Sequence, residues 1–297
     1  KSPTAYATNA LAFIDAMKAA DPDAQVGIGL APATPVGSPF WNWNETVMAI
    51  AGRAVDFVDY HYYTGGGGTD AALLASPARV PATIARLRDL LDRTQGPSHR
   101  VDLVVGEANS NAFAGPQQVR PANALFLADF GATLLDHGVA GFEWYSLHDR
   151  AVGDGSSWIG DLGMLSSGEC VGAICEPPAG TPFPPFHGLR VLNAVMKPHD
   201  TIVQASSSDA LVSAHAVTRN GKLTVLLVNK SPDTTFLAQL QTPGFDARSY
   251  RVIAYYDATG AVEPGHGAPT CAGHALSLAP YSISAVQMSS HSDGCGS

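Results

Sequence analysis

The feature that most constrains this chain is an alternation in its first half. Four short apolar runs, Gln25 to Leu30, Val55 to Tyr63, Val101 to Glu107 and Val139 to Tyr145, are separated by segments of helical character. The runs largely lack in/out alternation, as parallel strands buried on both faces do. Between them Val80, Ile84, Leu87 and Leu91 recur at helical spacing, and so do Leu125, Phe126, Phe130, Leu134 and Leu135. A helix comes first. Ser2 is placed to cap it, Pro3 suits its first turn, Leu11, Ile14 and Met17 line it, and Asp21-Pro22 stops it.

From about Ile202 the pattern changes to β-type runs: Leu211 to Val217, Leu223 to Asn229, Phe236 to Leu240, Tyr250 to Tyr256 and Ser282 to Met288. Asn220-Gly221 is a tight-turn signal that joins the first two as a hairpin. The Pro-rich stretch Pro177 to Pro185 and a short helix around Leu189 to Met196 separate the two parts, and Gly65 to Gly68 reads as a flexible loop at a strand end. The expected fold class is α/β plus all-β, with one domain over residues 1–197 and an antiparallel β-sandwich over residues 198–297. Four parallel strands with their helices are half of an eight-stranded barrel, and half a barrel leaves two sheet edges and its interior side chains uncovered. Either the sheet is an open, doubly wound one, or the other half lies outside this chain. The strand ends decide.

Composition narrows the function classes. The 297 residues carry 17 Lys plus Arg against 26 Asp plus Glu, a formal net charge of −9, which repels phosphate backbones and anionic lipid before specific contact forms. Nucleic acid and membrane are therefore not expected partners. A hydrophobic content of 45% excludes disorder, and no apolar run approaches the roughly 18 residues needed to span a bilayer. Four cysteines, Cys170, Cys175, Cys271 and Cys295, sit among Gly, Ser and Pro without CxxC spacing or histidines placed to build a zinc site, so no zinc site is expected. Of the three possible disulfide pairings, the favoured one joins Cys170 to Cys175 and Cys271 to Cys295; free buried thiols are the alternative. Disulfides suit a secreted protein whose signal peptide lies upstream of Lys1.

The strand ends carry the chemistry-bearing residues: His61-Tyr62-Tyr63, then Gly106-Glu107-Ala108-Asn109-Ser110, then Glu143-Trp144-Tyr145. In a TIM barrel these ends form the active-site face, where a carboxylate on a rigid strand can be aimed. Glu107 is the sharpest candidate, because it closes an apolar run and a solvated surface charge explains it poorly. Gly-x-Ser-x-Gly, phosphate-cradling glycine patterns and His-x-x-x-His pairs are absent, which disfavours an α/β-hydrolase, a nucleotide cofactor and a metal.

In this ordered set the sequence resembles the retaining glycoside hydrolases of clan A, notably families 39, 51, 30 and 79, which carry a β-sandwich after the barrel. Asp59-Tyr60-His61-Tyr62-Tyr63 is similar to the clan's strand-six aromatic motif, Gly106-Glu107-Ala108-Asn109-Ser110 to its strand seven, and Phe142-Glu143-Trp144-Tyr145 to its strand eight. Asp161 to Leu165 and the stretch leading to Gly188-Leu189 resemble the segment entering the sandwich. The resemblance implies the C-terminal half of a (β/α)8 barrel, strands five to eight, followed by its sandwich. It implies Glu107 as nucleophile and an acid/base Glu on strand four, upstream of residue 1, supplied by an N-terminal half that is a separate cleaved chain or absent from the sequence. Alone, such a half-barrel is expected to fold poorly. No cofactor is implied.

Double displacement needs two carboxyls about 5–5.5 Å apart, one attacking the anomeric carbon and one protonating the leaving oxygen. Asn44-Glu45 has the right dipeptide for the acid/base, but one strand rather than two separates it from the Glu107 strand, so it is rejected. Asp59, Glu143 and Asp149 are reserves for that role. His61 is expected to hydrogen-bond Glu107 or the sugar, Tyr62, Tyr63 and Trp144 to stack on it, Asn109 and His148 to bind hydroxyls, and Trp41 or Trp43 to line a subsite. Core packing is the competing role for each of these aromatics. The expected function is a secreted glycosidase acting on plant or microbial polysaccharide or oligosaccharide, with arabinofuranosides, xylosides and glucuronides all open. A non-catalytic carbohydrate-binding protein on the same scaffold is the alternative, and an adhesion module built on the sandwich is the blander one.

Overall fold

The computed structural model describes residues 2–32, 39–65, 68–96, 99–258, 260–262, 270–271 and 275–290, with residues 39–41 and 260–262 described by backbone alone. Packing divides the chain into two compact units. The first comprises Lys1–Tyr63, Ala78–Asn109 and His137–Tyr145; the second comprises Thr64–Pro77, Ser110–Asp136 and Ser146–Ser297.

The first unit holds helices α1 (Pro3–Ala20) and α2 (Pro39–Ala51), α4 (Val80–Thr94), and a four-stranded parallel sheet. Its strands are β1 (Gly27–Leu30), β2 (Phe57–Tyr63), β3 (Asp102–Asn109) and β4 (Gly141–Trp144), in sequential order. The opening helix follows its local signals: Ser2 Oγ accepts the Ala5 N–H, Pro3 lies in the first turn, and the chain leaves at Asp21. The periodic residues of α4 are its buried stripe, Ile84, Leu87, Leu90 and Leu91. Asn44, fully buried, explains how α2 docks: its Oδ1 accepts the Ala31 N–H at 2.7 Å and its Nδ2 donates to Ala31 O at 3.0 Å. The dipeptide rejected as an acid/base is thus half packing, half surface, with the half-buried Glu45 4.0 Å from Arg93.

One expectation needs correction. β2 is not apolar on both faces but alternates, with Val58, Tyr60 and Tyr62 buried and Asp59, His61 and Tyr63 more open. The polar face has water or a ligand to meet, which a strand enclosed on both sides does not.

The second unit holds α3 (Asp70–Ala75), α5 (Pro121–Asp136) and α6 (Pro184–Val195), a looped segment after Ser146, and the antiparallel sheets. α5 is buried throughout from Ala122 to Leu134, and α6 crosses so close that a Cβ on Gly188 would lie 2.4 Å from Ala124 O. α6 starts at Pro184, earlier than its apolar residues suggest, because proline at a first turn needs no amide partner. The looped segment contains the hairpins β5 (Val152–Gly153) with β6 (Ile159–Gly160), and β7 (Cys170–Val171) with β8 (Ile174–Cys175). A disulfide joins Cys170 to Cys175 across the latter, as expected. Cys271 is also disulfide-bonded, and Cys295 lies outside the described residues.

The main antiparallel sheet runs β14 (Gly260–Val262), β13 (Ser249–Asp257), β17 (Ser282–Ser289), β11 (Lys222–Asn229), β10 (Val212–Arg219), β9 (Thr201–Val203), with β15 (Thr270–Cys271) paired to β13. Asn220 and Gly221 turn the β10–β11 hairpin with φ of 50° and 73°, the left-handed pair a two-residue turn requires. A separate two-stranded antiparallel ribbon pairs β12 (Phe236–Ala238) with β16 (Leu276–Leu278), and its Leu278 enters a cluster with Val212, Val225, Leu227, Val286 and Met288. Helix α6 packs against β11, β13 and β17.

Candidate active site

The group at the strand ends of the first unit is built on β2 and β3. Strand alternation sends Asp59, His61 and Tyr63 to one face of β2, and the β2–β3 register sets His61 opposite Glu107. Tyr63 donates its hydroxyl to Glu107 Oε2 at 2.8 Å, and His61 Nδ1 lies 3.1 Å from the same oxygen. His61 Nε2 lies 3.1 Å from Asp59 Oδ2, so each ring nitrogen faces a carboxylate. Asp59 Oδ1 accepts the Gly106 N–H at 2.9 Å. Both contacts of Glu107 fall on Oε2. Its Oε1 has no hydrogen bond among the described residues and is free to meet an electrophile.

Burial pushes the Tyr63 phenol up in pKa, and the hydrogen bond and charge of Glu107 push it further the same way. The phenol therefore stays a donor at any ordinary pH and holds the carboxylate oxygen it touches. The side chains of Glu107, Asp59 and His61 keep 31%, 33% and 44% of their exposure, enough for a ligand to reach all three. A held, reachable carboxylate with one free oxygen is suited to nucleophilic attack.

The other expected site residues are placed differently. Tyr62 does not join the group: it is buried on the opposite face of β2, its ring 5.9 Å from that of Tyr60. Asn109 is fully buried and spends its Nδ2 on Tyr145 O at 2.6 Å, so it fixes the exit of β4 rather than offering an amide to solvent. Trp144 is half-buried opposite Ala108, and Glu143 beside it is exposed. Trp43 packs on Tyr6, the ring centroids 5.6 Å apart, while the Trp41 side chain lies outside the described residues. His148, exposed, and Asp149 belong to the second unit, where His148 bridges Leu165 and Asp149 accepts the Arg150 N–H. Sequence reasoning held Asp59 only in reserve as a proton donor and missed its bond to Gly106; a glycine inside a strand, just before the candidate Glu, was the available signal. Among the described residues no cluster of three His, Cys, Asp or Glu is arranged to hold a metal, and no helix is long and apolar enough to cross a membrane.

Solved structures that this chain resembles include glycosidases. A bifunctional glucanase-xylanase from a metagenome library matches with a TM-score of 0.69 over 98% of this chain and 60% of its own, at 16% identity. The chain has the fold of a glycoside hydrolase. The family 51 α-L-arabinofuranosidase of Thermotoga petrophila matches at a TM-score of 0.68 and 15% identity, over 97% of this chain and 62% of that one. A Paenibacillus polymyxa xyloglucanase of glycoside hydrolase family 44 gives 0.66 at 15% identity, over 97% and 61%. This chain spans about three fifths of the length of these structures. No family model and no curated protein matches the sequence.

Proposed function

We propose that this chain carries the nucleophile of a secreted retaining glycoside hydrolase, and that Glu107 is that nucleophile. The observation that supports it is the pinning of one Glu107 oxygen by Tyr63 and His61 while the other stays free at the end of a parallel strand. Glu107 Oε1 attacks the anomeric carbon, the glycosidic oxygen leaves with a proton from the acid/base, and water then hydrolyses the glycosyl ester with the same acid/base acting in reverse. Tyr63 and His61 steady the carboxylate as its charge disperses into the ester. The acid/base Glu sits upstream of residue 1, on an N-terminal half that completes the barrel of which residues 1–197 form strands five to eight; residues 198–297 form the accessory domain. Substrates are carbohydrate chains bearing arabinofuranose, xylose or glucuronic acid.

The test uses the natural protein with any accompanying polypeptide, assayed on p-nitrophenyl α-L-arabinofuranoside, β-D-xyloside and β-D-glucuronide. Glu107→Gln is expected to lower turnover at least about 1,000-fold while sugar binding persists. Hydrolysis that survives this change overturns the assignment, and sugar binding with no hydrolysis by the unaltered protein marks a binding module instead.

A further inference from the structure

β3 contains one residue more than either neighbour over the same stretch. Asp59 and His61 of β2 match Val104 and Glu107, and Phe142 and Trp144 of β4 match Val105 and Ala108. Side chains alternate faces along a strand, so one extra residue reverses the facing of everything beyond it. Val104 and Glu107 thus share the face of Asp59 and His61. Without the bulge, Glu107 would fall on the face of Val58 and Tyr62, among buried apolar side chains.

Asp59 occupies the point where the bulge closes. Its Oδ1 takes the Gly106 amide at 2.9 Å, and a Cβ on residue 106 would lie 2.3 Å from that same oxygen. Its Oδ2 holds His61 Nε2 at 3.1 Å, and the far nitrogen of that ring reaches Glu107. We infer that Asp59 is the positioning residue for Glu107, clamping the Gly106 bulge with one carboxylate oxygen and the His61 ring with the other. This assignment rests on Glu107 being the nucleophile only for its effect on rate; the clamp itself is a matter of backbone geometry. Glycine at 106 is required because the clamp leaves no room for a side chain.

The experiment combines kinetics with an observable that needs no substrate. In the natural protein, Asp59→Ala is expected to lower kcat about 100-fold with KM within about threefold, the size of loss that a misplaced reacting group produces. Asp59→Asn keeps an oxygen for Gly106 and offers an N–H to His61 Nε2, and is expected to recover about tenfold or more of the loss. Gly106→Ala alone is expected to be about as damaging as Asp59→Ala, yet adding it to Asp59→Ala costs no more than about threefold further, because the side chain it collides with is gone. Amide hydrogen exchange at Gly106, followed by NMR, is expected to accelerate about tenfold or more in Asp59→Ala. Unchanged exchange, a loss carried by KM, or effects of the two substitutions that multiply independently would each overturn the clamp. Should the unaltered protein hydrolyse none of the three p-nitrophenyl glycosides, the catalytic proposal fails, and the exchange measurement still decides for or against the clamp. Should Asp59→Ala not fold, Asp59→Asn and Gly106→Ala give the same comparison, with Asn expected to preserve Gly106 protection.

Discussion

The molecule contains the same chemical triplet twice, a histidine between two carboxylates, in two settings. His61 lies between Asp59 and Glu107 with 44% of its side chain exposed; His215, on β10, lies between Asp129 and Asp136 of α5 with 8% exposed. His215 Nε2 is 2.9 Å from Asp129 Oδ1 and its Nδ1 is 2.7 Å from Asp136 Oδ2. Asp129 is further held by Ser213 Oγ at 2.9 Å and by Lys230 Nζ at 3.6 Å. Burial alone would push the His215 pKa down, but the hydrogen bonds and charges of the two aspartates raise it to about 9. Such a group is an imidazolium at neutral pH, locked by partners on every side, and it fastens a helix to a sheet. The exposed triplet keeps a free carboxylate oxygen and room for a ligand. Residue types alone do not distinguish a fastener from a reaction site; solvent access and an unspent valence do.

The sharpest way to break this contrast is to remove each histidine in turn. His215→Ala removes the shared imidazolium from buried Asp129 and from part-exposed Asp136, leaving Asp129 with Ser213 and Lys230, and is expected to cost about 3 kcal/mol of stability in urea unfolding. His61→Ala leaves exposed carboxylates that water can serve, and is expected to cost no more than about 1 kcal/mol while still impairing turnover. Equal losses from the two changes would erase the distinction.

The pH dependence of unfolding sharpens it further. Because the folded-state pKa of His215 lies above the ordinary histidine value of 6.5, its stabilisation is complete below that value and is lost as pH rises through about 9. The rise of some 2.5 pKa units corresponds to about 3 kcal/mol, so unfolding free energy is expected to fall by that order between about pH 6.5 and 10. In His215→Ala the same limb is expected to be flat.

How much of this could be read from the sequence depends on the range of each interaction. The cap at Ser2, the stripe of α4, the Asn220-Gly221 turn and the four parallel strands rest on neighbours within a few residues, and the sequence exposes them. Glu107 stood out because an acid closing an apolar run has few structural uses. Asp129, Asp136 and His215 did not stand out: their partners are 79 and 86 positions apart, and each alone looks like a surface charge or a core histidine. The bulge escaped for a related reason. Register is a property of two strands, and Gly106 could only hint at it. The pairing of the small ribbon was likewise hidden: the run Phe236 to Leu240 holds β12, but its partner β16, three residues long, leaves too short a pattern to recognise.

The smallest expected effect comes from a third acidic contact, in the looped segment of the second unit. Glu176 is buried with Oε2 taking donors from Ser166, Ser167 and Gly168 at 2.8–3.2 Å, whereas its Oε1 and Asp161 Oδ2 find no N–H or O–H donor among the described residues. Burial raises the Asp161 pKa to about 6, with the neighbouring Glu176 and Asp149 charges acting in the same direction against the Gly163 amide. Because the folded-state value lies above the ordinary 3.8, the favourable contribution is whole below that pH and is lost as pH rises through about 6. Unlike the His215 triplet, this contact has no cationic partner among the described residues. Asp161→Asn keeps an oxygen for Gly163, supplies N–H groups to Glu176 and cannot ionise. It is expected to raise stability by about 1 kcal/mol at pH 7.5, as neutral replacements of buried charge often do, and to change little at pH 4.5. A loss of equal size at both pH values would mean that shape rather than charge governs the contact, and that a buried acid without a cation costs this protein nothing.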